Sequence, residues 1–222
     1  LSGQRLRREL ELLLAEPHPT EALALVAQLG LLPAICPDLK WSEALRSYLM
    51  ELEGQLAWYE LEELGLPPQS WILFLGGLAV RSGPDVMALL TKRLQLGGSA
   101  RDGMLSIPRQ LAAIIDAADL SLPRSRRARI IEQCPPEPLL LAMAEVPLES
   151  RRVLADAAET AARLASPITG RELIDHGIPP GPKIGRALKM TWDALADGVI
   201  TREEALPWAV ETAMCLEDEG VS

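Results

Sequence analysis

At 222 residues the chain is long enough to bury a real core, as one large domain or two modest ones. Its 48% hydrophobic content with only 4% aromatics suits helix-on-helix packing better than a β-sandwich, and no apolar run approaches the roughly 20 residues of a membrane span. A formal charge of −9 argues against a general nucleic-acid-binding surface.

The charge is uneven. Residues 1–130 carry 14 Lys/Arg against 15 Asp/Glu and residues 131–222 carry 8 against 16, so any contact with a nucleic acid has to come from local basic patches on an acidic body. Cys36, Cys134 and Cys215 are far apart, odd in number and without a CxxC, which reads as reduced thiols in a cytoplasmic protein. The first residues are rich in Arg and Glu and lack the apolar centre of a signal peptide. A chain that begins at Leu1 also reads as a piece of something longer.

Apolar residues recur at helical spacing almost throughout, which predicts an all-α fold. Leu6, Leu10, Leu13 and Leu14 form the first stripe. Thr20 is placed to cap a short helix that Gly30 ends, and Trp41 to Glu63 can hold a long one stopped by Gly65 and Pro67. The run Trp71 to Val80 is too short to span a membrane and reads as a buried helix. Further helices fit residues 69–81, 85–96, 108–118, 124–132, 137–144 and 149–165, separated by Pro and Gly clusters such as Ser82-Gly83-Pro84 and Cys134-Pro135-Pro136. Trp41, Trp58, Tyr59 and Trp71 stand at helical spacing within apolar runs and are expected in the core. Ser166-Pro167 is the expected boundary between a helical body, 1–165, and a small helical tail, 166–222.

Two basic constellations stand out. In the run Gly177-Ile178-Pro179-Pro180-Gly181-Pro182-Lys183-Ile184-Gly185-Arg186, Pro182 suits the first turn of a helix because the amide it lacks has no intrahelical partner there. The amides of Lys183, Ile184 and Gly185 then point free at the positive end of the helix dipole, beside Gly181, where a phosphate can sit. Ile184, Leu188, Trp192 and Leu195 make the core stripe of that helix, and Lys183, Arg186 and Lys189 project from nearly the opposite side. Phosphate contact and a plain solvated face both fit that arrangement. In the second constellation, Arg124, Arg126, Arg127 and Arg129, at least one arginine is expected to cover the core with its stem, and Arg126 and Arg129 share a face. In the first helix Arg5 can pair with Glu9 and Arg7 with Glu11, which leaves Arg8 the least committed. His18 and His176 stand alone, without the spacing of metal ligands or a catalytic pair.

Thr169-Gly170-Arg171-Glu172-Leu173-Ile174, the Gly177 to Gly185 run, Asp197-Gly198 and Thr201-Arg202-Glu203-Glu204 together resemble the C-terminal tail of bacterial tRNA nucleotidyltransferases. These are the CCA-adding, A-adding and poly(A) polymerase-like enzymes. Ser2-Gly3-Gln4-Arg5-Leu6, with Glu9-Leu10 and Leu13-Leu14, resembles the helix that follows their catalytic and nucleotide-selecting parts. Thr91-Lys92-Arg93-Leu94-Gln95-Leu96 and Pro138-Leu139-Leu140-Leu141-Ala142-Met143-Ala144 match softer signatures of their helical body. The Ile178-Pro179-Pro180-Gly181-Pro182 form fits the A-adding or poly(A) polymerase-like branch slightly better.

The resemblance implies a body and tail that hold the acceptor and T arms of tRNA through their backbone, with Gly181, Lys183, Ile184, Gly185, Arg186 and Lys189 at the tail; Arg126, Arg129 and Arg8 join the expected RNA contacts from their helical spacing. It also implies an N-terminal head, not contained here, that uses magnesium with ATP, and CTP if the enzyme is CCA-adding. The head would need a strand-borne Asp-x-Asp; Gly97-Gly98-Ser99 imitates the opening turn, but only Asp102 follows. No catalytic residue, metal or cofactor is therefore assigned to this chain, and the piece by itself is expected to transfer nothing. The acidic run Glu217-Asp218-Glu219 reads as a solvated tail. The alternative of another class is a helical protein-interaction or dimerisation module with no RNA role.

Overall fold

The computed structural model describes residues 2–164 and 167–216, and among them it contains thirteen helices and no strand. In chain order these are α1 (Gly3–Leu13), α2 (Pro19–Gln28), α3 (Leu32–Ile35), α4 (Glu43–Leu61), α5 (Ser70–Ser82), α6 (Val86–Arg93), α7 (Gly98–Asp116), α8 (Arg124–Glu132), α9 (Pro136–Glu145), α10 (Leu148–Arg163), α11 (Gly170–Asp175), α12 (Pro182–Ala196) and α13 (Ala205–Cys215). The expected all-α class is the observed one. Two compact units form, one from Leu1–Asp119 with Cys134–Leu154 and one from Leu120–Gln133 with Ala155–Ser222. Of the expected boundary pair, Ser166 lies outside the described residues, as does the run Glu217-Asp218-Glu219.

The first unit is built around α5. Every residue from Ile72 to Ala79 is buried, because a helix that is apolar on all sides has nowhere stable but the interior. Helices α1, α4, α6, α7 and α9 pack on it. Gly76 and Gly77 make that crowding possible: a Cβ at Gly76 would lie 2.9 Å from the Ile107 methyl, and one at Gly77 3.2 Å from Leu141 and 3.3 Å from Tyr48. Tyr59 is buried in this core, whereas Trp41, Trp58 and Trp71 are half-buried at its margin.

Two sequence expectations need correction here. Thr20 does not cap α2; it lies inside the helix, and His18 takes the cap position without a side-chain bond. The Thr20 amide is satisfied instead by the Glu53 carboxylate at 2.8 Å, a partner 33 residues away that no local pattern reveals. Helix α7 also begins at Gly98, well before the expected 108, so it carries Pro108 within it. Proline removes one interior amide, but the buried stripe of Met104, Ile107, Leu111 and Ile114 keeps the helix continuous through it.

The second unit rests on small residues. Leu173, Ile178, Ala187, Ala209 and Ala213 form one cluster, against which Ile184 and Leu188 pack from α12. Ala128, Ala161, Trp192 and Ala196 form another. Alanine at these positions lets α8, α12 and α13 come close with little side chain between them. Helix α11 opens with a capping box, in which the Thr169 hydroxyl accepts from the Glu172 amide and the Glu172 carboxylate accepts from the Thr169 amide at 2.7 Å.

Candidate nucleic-acid interface

Pro182 stands at the first position of α12, as its fixed φ favours, and Gly181 is the cap. The opening is exposed at Pro179, Pro180, Gly181, Pro182 and Gly185. A Cβ at Gly181 or Gly185 would meet nothing within 4 Å, so packing does not require glycine at either position. Their bareness leaves the backbone open to a close-approaching ligand. One part of the expectation fails, however. The Ile184 amide is not free but donates to the Gly181 carbonyl at 3.1 Å, closing the first turn, while the Ile184 side chain packs inward on the Leu173 cluster. Lys183 and Arg186 are half-buried, and each already has a polar or charged partner. Lys189 is the fully exposed cation of this helix.

Helix α8 sorts its four arginines by register. Ser125 donates its amide and hydroxyl to Asp197, both at 2.8 Å, and Arg129 donates from Nε to Asp193 at 2.6 Å and from Nη2 to the Lys189 carbonyl at 3.0 Å. Later residues of α8 thus meet earlier residues of α12, so the two run antiparallel. The Arg129 guanidinium also lies 4.4 Å from the centre of the Trp192 ring. Arg124 is held by both oxygens of Asp156, and Arg127 donates to the Leu122 carbonyl at 2.8 Å. Arg126 alone of the four is exposed and has no bond or ion pair among the described residues. Arg129, named among the expected RNA contacts, pairs with Asp193 and lies on Trp192, and it joins α8 to α12.

These observations split the predicted site. Ser125, next to Arg126, meets the carboxyl end of α12, and the Gly181–Gly185 opening lies at the other end, about 20 Å away at helical rise. Arg8, in the first unit, is exposed on α1. It lines an open depression of about 500 Å³ with Gln4, Arg7, Glu11 and Gln95. Arg7 pairs with Glu11 at 2.6 Å and covers Trp71 at 5.2 Å, as the i, i+4 spacing suggested. No such pair joins Arg5 to Glu9 among the described residues.

The residues that organise the second unit carry no structural signal in the sequence, although Asp197-Gly198 belongs to the tail motif. Asp156, Asp193 and Asp197 look like ordinary acids of an acidic surface. Asp197 caps α8 across 72 residues, a distance at which no spacing rule operates. Its carboxylate, with those of Asp156 and Glu159, raises the Arg124 pKa above its ordinary value, the hydrogen bond to Asp156 being the main cause.

The described residues bring together no group of three or more His, Cys, Asp or Glu able to hold a metal ion, and Asp102 lies exposed in the first turns of α7. The residues present do not fit a two-metal centre, and no metal-dependent step is derived from them. What the fold and its surface define is an all-helical scaffold with dispersed outward cations. Residues 1–42 match the family described as "Probable RNA and SrmB- binding site of polymerase A". The chain is 27% identical over 221 residues to an A-adding tRNA nucleotidyltransferase of Geobacter sulfurreducens, covering 96% of this chain and 25% of that protein. It also shares the fold of a CCA-adding enzyme in complex with ATP (TM-score 0.72, 18% identity, 100% of this chain and 53% of that one). A Thermotoga maritima CCA-adding enzyme complexed with tRNA is similar to the same degree (TM-score 0.72, 19% identity, 96% and 52%). The chain thus resembles the body and tail region of the tRNA nucleotidyltransferase family along nearly its whole length, and it spans about a quarter of the curated relative and half of the solved ones.

Proposed function

We propose that this chain is the RNA-holding body and tail of a tRNA nucleotidyltransferase, gripping the acceptor and T arms of tRNA by their backbone while a catalytic head elsewhere in the protein extends the 3′ end. The observation that carries this reading is the likeness to an A-adding enzyme across 96% of the chain, joined to an exposed helix opening whose glycines packing does not require. Recognition of shape and phosphate rather than sequence suits such a surface, because backbone amides and single cations carry little base information. On this reading the head works in the cytoplasm with magnesium and ATP, and with CTP if it builds the whole CCA end. The A-adding branch is favoured by the same relative and by the Ile178-Pro179-Pro180-Gly181-Pro182 turn.

The test is fluorescence anisotropy of the 222-residue chain with a labelled acceptor–T-arm minihelix at low salt. Binding that is abolished by Lys183→Glu with Arg186→Glu, in a protein with an unchanged circular dichroism spectrum, supports the reading. Absence of binding at low salt, together with a dimer by light scattering, replaces it with a protein-interaction role.

A further inference from the structure

The second unit holds a cleft of about 310 Å³ that the sequence patterns do not mark. Residues from four separate stretches converge on it: Arg124 opens α8, Thr160, Arg163 and Leu164 close α10, and Leu195 and Arg202 come from α12 and the connection after it. Three arginines and a threonine therefore share the lining with Leu164, Leu195 and Ile200. Guanidinium groups only donate, so the rim is built for an acceptor-rich, negatively charged ligand.

The commitments of those groups leave room for one. Arg124 uses Nε and Nη2 on Asp156, which fixes its fork in place. Arg163 reaches the Glu159 carboxylate only at 3.8 Å and the Glu159 carbonyl at 3.3 Å. The Arg202 side chain has no hydrogen bond or ion pair among the described residues. Of the nearby acids, Asp156 is turned to Arg124 and Asp197 to Ser125.

Thr160 gives the independent sign. It is only 3% exposed, yet its hydroxyl oxygen has no hydrogen-bond partner among the described residues. A buried helical threonine ordinarily bonds back to the preceding turn, as Thr191 does to the Ala187 carbonyl at 2.8 Å in the same unit. An unmade buried hydrogen bond is costly enough that a partner supplied by a ligand is the natural resolution.

We propose that this cleft binds a phosphate group, with Arg163 and Arg202 donating from the rim, Arg124 held ready by Asp156, and the Thr160 hydroxyl completing the set. The phosphate has two possible sources, an RNA backbone or a free phosphate or mononucleotide; the first rests on the proposed function and the second does not.

The experiment uses the whole 222-residue chain, with Arg163→Ala/Arg202→Ala and Thr160→Val variants. Calorimetry with inorganic phosphate and with AMP reads the free-ligand source, and minihelix anisotropy across a salt series reads the RNA source. Phosphate or AMP binding that Thr160→Val weakens about tenfold supports the cleft with a small ligand. Minihelix binding whose salt slope falls by about two in the double variant, without phosphate binding, supports it with RNA. Minihelix binding that no variant changes, with no phosphate binding, overturns the cleft and leaves the proposed function standing. Variant-sensitive phosphate binding without minihelix binding does the reverse. No binding of any probe overturns the cleft. Should Thr160→Val fail to fold, Arg202→Ala removes only an exposed side chain and gives the same readout.

Discussion

Arg126 and Arg129 lie one turn apart on α8 and carry the same charge, yet only Arg126 meets solvent freely. Replacing Arg129 with Ala removes a charged hydrogen bond to Asp193 and a contact with Trp192, and is expected to cost about 1–3 kcal/mol in urea unfolding while minihelix affinity stays unchanged. Arg126→Glu and Lys189→Glu should behave oppositely, shifting stability by no more than about 0.5 kcal/mol and weakening minihelix binding in anisotropy titrations. At this scale the sequence was half legible. The rule that one arginine of the four covers apolar surface was sound, because long stems at helical spacing must lie along something. Which arginine it is depends on Trp192 and Asp193, on a helix some sixty residues later, and residue spacing holds no record of that pairing. The free Ile184 amide failed for a different reason: a first turn can tighten and use its own cap carbonyl, an option that the idealised helix start ignores.

The helices themselves were readable wherever a cap or breaker is local. Thr169 and Glu172 form a capping box from four consecutive residues, and Thr169→Ala is expected to destabilise the second unit by about 1 kcal/mol in thermal melts. The same motif gives a pH signature. Hydrogen bonds from the Thr169 hydroxyl and amide hold Glu172 below the usual carboxylate range, and those from the Thr201 amide and hydroxyl do so for Glu204. Because the folded-state values are depressed, the stability they contribute is present above the unfolded carboxyl pKa of about 4.3 and is lost as pH falls through the folded values. Circular dichroism melts between pH 6 and 2 should show that loss, and Glu172→Gln should flatten it. Where a helix end is satisfied from afar, as Thr20 is by Glu53, or where burial carries a helix past a proline, as in α7, local rules misplace the boundary. Gly3 is a close approach hidden in the same way. A Cβ there would sit 2.3 Å from the Arg93 carbonyl, so Gly3→Ala is expected to cost about 1–3 kcal/mol and to loosen α1, seen as faster amide exchange in its first turns.

Across the whole molecule an acidic body presents a few separated cations, which limits how an RNA can be held. A net charge of −9 repels the phosphate backbone at long range, so the anisotropy salt series should give a shallow log–log slope of only about −2 to −4. A steep slope would indicate many phosphate contacts. The all-α class was legible because it follows from composition and period, both averaged over the chain. The grouping into units depends instead on which distant helices share a core.

The second unit gathers residues 120–133 with 155–222, and the Ser125–Asp197 cap spans 72 positions. During translation at about 5–20 residues per second, α8 leaves the ribosome roughly 4–14 s before the aspartate that caps it emerges. Over that interval the nascent α8 has neither Asp197 nor Trp192 to dock on, which makes it the segment of this unit most open to a chaperone or a protease.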